Sequence, residues 1–179
     1  SDSDINASEL VAILVGKAET FKEGIEYAQS KIKGSCSMLI MTDTVIYAAR
    51  DRFGRTPIII GKNDKGYVCA SESSSFTNLG YEYVRDIGPG EVVQISADGI
   101  RQVTPPGERM QICSFLWVYY GYPSAFYEGI NVENARYRSG AAMAKRDTDL
   151  QLDCAAGIPD SGIAHAIGYA NQKGVEYSR

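Results

Sequence analysis

The 179-residue sequence has only one histidine, His165, and its four cysteines stand more than thirty residues apart from one another. A single imidazole excludes any mechanism that needs two histidines. The wide cysteine spacing excludes a zinc ribbon, whose ligands come in Cys-x-x-Cys pairs. Cys36 and Cys69 lie in apolar runs, and we interpret them as reduced thiols of a cytoplasmic protein.

Long apolar runs and an excess of basic residues are also missing. No stretch approaches the roughly 18 apolar residues of a membrane-spanning helix. No signal peptide is visible at the start, which reads "SDSD" without an initiating Met. The formal net charge of -4 disfavours a nucleic-acid surface, because phosphates require clustered Lys and Arg. We expect no nucleic-acid or membrane partner, and we interpret the chain as an excised piece of a longer protein.

The first 104 residues carry two helix signals and then a series of strand signals. Helices are predicted over 8–15 and over 20–34, the second with a capping pair formed by Thr20 and Glu23. A Ser-rich turn is predicted at 73–77. The predicted strands are "CSMLIMT", "TVIYAAR", "PIIIGK", "GYVCAS", "YEYVRD", "EVVQIS" and "IRQVT". Helices grouped apart from an antiparallel meander indicate an α+β fold.

The pattern changes after a linker predicted at 105–110. "MQICSFLWVYY" is interpreted as a buried strand, and 152–158 and 175–178 as further strands with a helix over 160–174 between them. A helix over 131–145 is predicted to present one face made of Val132, Ala135, Ser139, Ala142 and Met143. This alternation predicts a parallel α/β unit. Two or three strands with two helices are too few for a closed doubly wound sheet, both faces of which must be covered, so we expect this domain to be incomplete.

Asp160-Ser161-Gly162 stands between a predicted strand and a predicted helix. A helix N-terminus at the end of a parallel strand offers free N–H groups to an anion, and the Ser161 hydroxyl can reach a phosphate or a metal-bound water. The alternative is that Asp160 or Ser161 only caps the helix. His165, one turn later, is either an acid–base group or a structural histidine.

Two other stretches suggest binding chemistry with a simpler alternative. The aromatic run between Phe115 and Tyr127 has the rings to stack bases but no accompanying basic groove, and inter-domain packing is the favoured interpretation. "ARDRFGR" carries three arginines around a glycine and is either an anion site or a solvated turn. Asp2 and Asp4 precede the first helix, where the helix dipole favours carboxylates.

Five stretches of the sequence resemble the glutamine phosphoribosylpyrophosphate amidotransferase family. They occur in the same order as in the family, and the resemblance covers nearly all of the 179 residues. They are "SDSD", "ARDRFGRTPIIIGK", "YVCASESSSFTNLGYEYVRDIGPGEVVQI", "CSFLWVYYGYPSAFYEGINVENARYRSGAAMAK" and "GIPDSGIAHAIGYANQKGVEYS". Other glutamine amidotransferases share the Arg-Asp-x-x-Gly-x-x-Pro pattern. The second half of the chain, with Pro-Asp-Ser-Gly followed by Gly-Tyr-Ala, is what resembles this family in particular.

The resemblance implies both a fold and an activity. Residues 1–104 would be the C-terminal part of an N-terminal-nucleophile glutaminase, an αββα sandwich, and residues 111–179 the incomplete start of a type I phosphoribosyltransferase domain. The family converts glutamine and 5-phosphoribosyl pyrophosphate to 5-phosphoribosylamine, glutamate and pyrophosphate, the first step of de novo purine synthesis. The implied cofactors are Mg²⁺ and, in some members, a [4Fe-4S] cluster. Purine nucleotides as feedback inhibitors, a homo-oligomer and a cytoplasmic location are also implied.

The resemblance assigns roles to three residues. Asp2 matches the aspartate that holds the α-amino group of glutamine, Ser161 lies in the segment at the Mg²⁺ and phosphoribosyl pyrophosphate site, and Cys113 matches an iron–sulfur ligand. The family's nucleophile is an N-terminal cysteine, which Ser1 is not, so we expect this chain alone to be inactive. "GYPSA" departs from the usual Arg-Pro-Asp-Ser, and His165 stands where Ala is common, which favours a packing role for it.

Two alternatives remain open at this point. The first is another type 2 glutamine amidotransferase, of the asparagine-forming or glucosamine-phosphate-forming kind, although no ATP-pyrophosphatase loop or sugar-isomerase pattern follows residue 104. The second is a non-catalytic regulatory module that reuses both folds.

Overall fold

The computed structural model describes residues 5–178, which group into two compact units. The first unit takes the chain up to residue 71 together with residues 80–112, and the second takes residues 72–79 together with the chain from residue 113. Residues 105–110, predicted to be a linker, group with the first unit. There the Gly107 N–H donates to the Pro89 carbonyl (2.7 Å) and the Gln111 N–H donates to the Phe53 carbonyl (2.7 Å).

Two capped helices open the first unit. Helix α1 (Ala7–Val15) is capped by the Asn6 side chain, which accepts the Glu9 N–H. Helix α2 (Phe21–Lys31) begins at Thr20, whose hydroxyl oxygen accepts the Glu23 N–H, as the sequence predicts. The two helices approach closely, since a Cβ at Gly24 would lie 2.2 Å from the Val15 carbonyl oxygen.

The strands of the first unit form two antiparallel sheets, where the strand pattern alone predicted one meander. The four-stranded sheet has the order β1-β2-β6-β7, and the three-stranded sheet has the order β4-β3-β5. The strands are β1 (Met38–Met41), β2 (Ile46–Ala49), β3 (Ile59–Asn63), β4 (Gly66–Ala70), β5 (Glu82–Asp86), β6 (Val92–Ser96) and β7 (Gly99–Thr104). The division arises because β2 pairs with β6 and not with β3, while β3 pairs with β4 and β5.

Two apolar clusters order the first unit into helix, sheet and sheet layers. In one cluster Val15, Ile25 and Ala28 of the helices pack against Met38, Ala49 and Val92 of the four-stranded sheet. In the other, Ala48, Val93 and Ile95 from the opposite face of that sheet pack with Ile60 of the three-stranded sheet. Alternation of apolar residues along β2 and β6 supplies both faces.

The second unit combines α-helices with a short parallel β pair. Its elements are α3 (Ser74–Leu79), a π-helix (Leu116–Tyr120), β8 (Phe126–Tyr127), β9 (Ile130–Asn131), α4 (Val132–Arg146), β10 (Cys154–Ala156), α5 (Gly162–Lys173) and β11 (Glu176–Ser178). Strands β10 and β11 are parallel and are joined through α5, as predicted. Two predictions were wrong: residues 74–79 form a helix and not a turn, and residues 116–120 form a π-helix and not a strand.

The buried face of helix α4 matches the predicted face only in part. Its buried residues are Val132, Arg136, Gly140 and Ala144, whereas Ala142 and Met143 are exposed. The prediction followed apolar character, but the contact with α5 selects small residues that let the two backbones approach. In the part of the chain that the structure describes, no helix is long and apolar enough to cross a membrane.

Glu91 is a buried carboxylate whose four hydrogen bonds join three parts of the first unit. It accepts two bonds from the Arg85 guanidinium (both 2.8 Å), one from the Gly88 N–H (2.8 Å) and one from the Gln102 amide (2.7 Å). Burial alone would raise the pKa of this carboxyl, but the bonds from Arg85, Gly88 and Gln102 outweigh burial and lower it.

We expect Glu91→Gln to lower the free energy of unfolding by about 2 kcal/mol at pH 7, because a charged, bidentate pair is lost. The folded-state pKa lies below the ordinary value of 4.5, so the contribution of the ionised carboxylate is present above that value and is lost as the pH falls through the folded-state pKa. Urea denaturation between pH 7 and pH 3 measures the difference in free energy of unfolding between the variant and the unaltered protein. This difference should shrink below about pH 4.5.

The exposed Glu82→Gln on β5 is the matched control, with an expected change below about 0.5 kcal/mol. A difference between Glu91→Gln and the unaltered protein that stayed constant down to pH 3 would contradict the stabilising role of the ionised carboxylate.

Candidate functional site

The segment after β10 turns sharply into α5. A Cβ at Gly157 would lie 2.6 Å from the Ile163 Cα, so the chain leaving the strand passes directly against the first turn of the helix. The Gly162 N–H donates to the Ile158 carbonyl (2.9 Å) and the Ile163 N–H to the Asp160 carbonyl (3.2 Å). Asp160 and Ser161 are therefore held at the N-terminus of α5, as the sequence predicts.

Ser161 does not cap α5 with its side chain. Its backbone is helical (φ -62°, ψ -29°), and its hydroxyl makes no capping hydrogen bond to the described residues. A capping serine normally has extended backbone angles and accepts an N–H of the first turn. For Ser161, the capping alternative left open by the sequence is therefore not what the structure has. Ser161 is half-buried and lies beside the positive end of the helix dipole.

His165 lies one turn further along α5, and its Nε2 lies 3.3 Å from the Val118 carbonyl oxygen. With the proton on Nε2, this contact is a hydrogen bond from α5 to the π-helix. The contact supports the structural interpretation of His165.

The aromatic run predicted to form a buried strand has several exposed rings. Tyr119 is 62% and Tyr120 66% exposed. Trp117 packs edge-on against Tyr127, with ring centroids 5.9 Å apart, and its indole N–H donates to the Ile130 carbonyl (3.1 Å). Carbonyls of the π-helix and of Gly121, directly after it, converge on one charged donor, Arg136.

Arg136 is a buried charged side chain of the second unit that the sequence pattern did not reveal. It is 4% exposed, and its guanidinium donates to the carbonyls of Trp117 (2.8 Å), Tyr119 (3.0 Å) and Gly121 (2.8 Å). Burial lowers the pKa of this guanidinium. The sequence feature that could have indicated a buried arginine is its position one turn after Val132, on a helix face that otherwise continues with small residues.

Glu72 and Ser73 were also missed, because they follow β4 in sequence yet group with the second unit. The Glu72 carboxylate accepts the Tyr122 N–H (3.2 Å) and the Ser74 hydroxyl (2.7 Å). The Ser73 hydroxyl accepts the Phe126 N–H (2.8 Å) and donates to the Phe126 carbonyl (3.2 Å). These bonds fix the loop between the π-helix and β8, where the sequence departs from the family pattern.

The two remaining predicted site residues are Cys113 and Asp2. Cys113 is a half-buried free thiol, and among residues 5–178 no three His, Cys, Asp or Glu side chains form a group that could hold a metal ion. The described residues therefore do not supply a ligand set for an iron–sulfur cluster at Cys113. Asp2 lies outside the described residues.

Comparison with known proteins gives one consistent family. Amidophosphoribosyltransferase from Archaeoglobus fulgidus is 32% identical over 178 residues, which cover 99% of this chain and 38% of the relative. The Bacillus subtilis enzyme is 35% identical over 95% of this chain and 36% of its own length. No protein-family model matches the sequence.

Solved structures agree with the sequence comparison. The glutamine phosphoribosylpyrophosphate amidotransferase of B. subtilis, in complex with ADP and GMP, superposes with a TM-score of 0.88 at 34% identity, over 97% of this chain and 38% of that chain. A structure described as the allosteric regulatory enzyme of purine biosynthesis superposes with a TM-score of 0.87. The chain is similar to amidophosphoribosyltransferases along nearly all of its length, and it spans a little over a third of the length of the relatives it matches.

Proposed function

We propose that the protein takes part in the reaction of its relatives, in which ammonia from glutamine replaces pyrophosphate on 5-phosphoribosyl pyrophosphate. The observation that carries this proposal is the similarity to amidophosphoribosyltransferases along 95–99% of the chain. In addition, the Ser161 hydroxyl at the N-terminus of α5 makes no capping hydrogen bond to the described residues. That similarity favours this reaction over the asparagine-forming or glucosamine-phosphate-forming amidotransferases.

The two parts of the chain would contribute to different half-reactions. We assign residues 1–104 to a glutaminase αββα sandwich, which the helix, sheet and sheet layers of the first unit support. We assign residues 111–179 to the start of a type I phosphoribosyltransferase domain, which the parallel β10–α5–β11 unit supports. Asp2 is proposed to bind the α-amino group of glutamine through its carboxylate.

Ser161 is proposed to bind the diphosphate of phosphoribosyl pyrophosphate. The first N–H groups of a helix and its dipole favour a phosphate at this position, and a hydroxyl donor adds one directed hydrogen bond. Mg²⁺ binds proteins through few carboxylates and several substrate phosphate oxygens. The diphosphate would therefore supply most ligands, with Asp160 as the exposed carboxylate beside Ser161. A [4Fe-4S] cluster at Cys113 would require ligands from outside the described residues.

Regulation and assembly are proposed from the family resemblance. One solved relative holds ADP and GMP, and we propose purine nucleotides as feedback inhibitors of this protein. A homo-oligomer and a cytoplasmic location remain predictions from the family resemblance.

Ser161→Ala is expected to raise the KM for phosphoribosyl pyrophosphate about tenfold in a full-length amidophosphoribosyltransferase that carries this segment. The reason is that one hydrogen bond from a hydroxyl to a charged phosphate contributes about 1.5 kcal/mol. Steady-state release of pyrophosphate measures the KM, and the KM for glutamine should stay unchanged.

Ser124→Ala, on an exposed loop of the second unit, is the matched control and should leave both constants unchanged. An unchanged KM for phosphoribosyl pyrophosphate in Ser161→Ala would remove Ser161 from the site. If the unaltered enzyme released no pyrophosphate with glutamine present, the proposed reaction itself would be wrong.

A further inference from the structure

Three arginines surround one aromatic ring in the first unit. The guanidinium carbons of Arg52, Arg55 and Arg109 lie 5.5, 5.7 and 5.7 Å from the centroid of the Phe53 ring. The three arginines are exposed and the ring is half-buried. Between residues 5 and 178, none of these guanidinium groups has a carboxylate as an ion-pair partner. Three positive charges therefore lie together in a chain whose net charge is negative.

The loop that carries Phe53 is held in place by buried charged side chains. The Asp51 carboxylate accepts the N–H groups of Phe53 (3.1 Å) and Thr56 (3.0 Å). The Arg50 guanidinium donates to the Gly54 carbonyl (2.7 Å). The Gln111 N–H donates to the Phe53 carbonyl (2.7 Å) and so keeps the segment of Arg109 beside the ring. The arginines therefore project from a fixed backbone, which lowers the entropy lost on binding a ligand.

A small cavity of about 230 Å³ adjoins the ring. Its basic lining residues are Lys33, Arg52 and Arg55. Asp51 is the carboxylate in the lining, and its oxygens already accept hydrogen bonds from the loop N–H groups and from Ser35 (3.1 Å). The cavity is thus positive on balance and has the size for a small ligand.

We propose that Arg52, Arg55 and Arg109 around Phe53 form a binding site for a diphosphate group, either as free pyrophosphate or as part of a nucleoside diphosphate. Guanidinium groups pair with phosphate oxygens through two parallel hydrogen bonds, while the ring stabilises their charge through cation–π contact. Because all three guanidinium carbons lie 5.5 to 5.7 Å from one ring centroid, a compact anion fits better than an extended acidic peptide. The site lies in the first unit and does not depend on the proposed activity.

Titration of inorganic pyrophosphate into the 179-residue chain by calorimetry tests this site. We expect saturable binding at low ionic strength that weakens as salt is added, because exposed charges are screened. ADP should bind with similar affinity and adenosine should not bind, since the phosphates carry the interaction. Absence of saturable pyrophosphate binding, or adenosine binding as tight as ADP, would overturn the proposal.

Substitutions locate the site. Arg52→Gln, Arg55→Gln and Arg109→Gln should each weaken pyrophosphate binding roughly tenfold, the usual effect of losing a hydrogen bond between charged groups. Lys17→Gln, Lys22→Gln and Lys65→Gln together remove the same charge from exposed positions of the first unit and should change the affinity less than twofold. The variant that combines Arg52→Gln, Arg55→Gln and Arg109→Gln should abolish saturable binding. An equal loss of affinity in this arginine triple variant and in the lysine triple variant would show unspecific attraction and overturn the site. The single variants keep the test valid if circular dichroism shows the arginine triple unfolded.

Two further measurements distinguish this site from binding at α5 and from binding of an acidic protein segment. Ser161→Ala should leave pyrophosphate binding unchanged. If it abolished binding while the arginine variants retained it, the anion would lie at α5 and this proposal would fail without affecting the proposed function. A peptide of ten glutamates that displaced pyrophosphate with higher affinity would overturn the compact ligand in favour of an acidic protein segment.

Discussion

Replacing Gly140 or Gly168 with alanine is expected to destabilise the second unit by about 3 kcal/mol for each substitution. A Cβ at Gly140 would lie 1.9 Å from the His165 carbonyl oxygen, and a Cβ at Gly168 would lie 2.1 Å from the Tyr137 carbonyl oxygen. Both clashes are with backbone, so the only relief is a separation of α4 from α5 that exposes their packed faces. Urea denaturation monitored by the fluorescence of Trp117, the single tryptophan, measures the loss.

Gly162→Ala is the matched control, because it adds the same methyl group to α5 at a position with space. The nearest side-chain atom there, the Ile158 Cβ, would lie 3.6 Å away, and the expected change is within about 0.5 kcal/mol. The double variant at positions 140 and 168 should lose less than the sum of the two, since one separation of the helices relieves both clashes. Losses below about 0.5 kcal/mol in both single variants would contradict the close approach of the helices.

Local signals predicted most elements of the first unit. The Thr20 and Glu23 pair placed the start of α2, and alternation with glycine turns placed the seven strands. The separation into two sheets was not predictable in this way, because β2 pairs with β6 across more than forty residues of sequence. Such pairings depend on which faces can be buried together, as Ala48 and Ile60 are, and the sequence pattern of each strand is compatible with several partners.

The same distinction applies to the candidate sites: features that depend on neighbouring residues were predicted, and features that depend on the fold were not. The turn at Asp160 and Ser161 was predicted because a strand, a Pro-Gly-rich turn and a helix follow one another directly. The absence of a side-chain cap at Ser161 depends on backbone angles that no residue type specifies. Arg109 meets Phe53 only through the fold, so the pattern "ARDRFGR" could not reveal the complete arginine cluster. The π-helix was interpreted as a strand because a continuous apolar run is compatible with either.

Arg136→Met should lower the free energy of unfolding by about 4 kcal/mol and loosen the π-helix in the folded state. Methionine occupies a similar volume but leaves the carbonyls of Trp117, Tyr119 and Gly121 without their shared donor, and an unsatisfied buried polar group costs about 1 to 3 kcal/mol. Denaturation by urea gives the free energy. The emission of Trp117 without denaturant reports the local change, and it should shift to longer wavelength as the indole becomes more hydrated.

Arg136→Lys distinguishes charge from geometry at this position. An ammonium retains the charge but cannot donate along the directions of a planar guanidinium, so we expect it to recover less than half of the lost stability. Arg138→Met, on the exposed side of the same helix, is the matched control and should change the free energy by less than about 0.5 kcal/mol. Full recovery by lysine would show that a positive charge alone stabilises the π-helix. Unchanged Trp117 emission in Arg136→Met would show that the three carbonyl bonds do not determine its conformation.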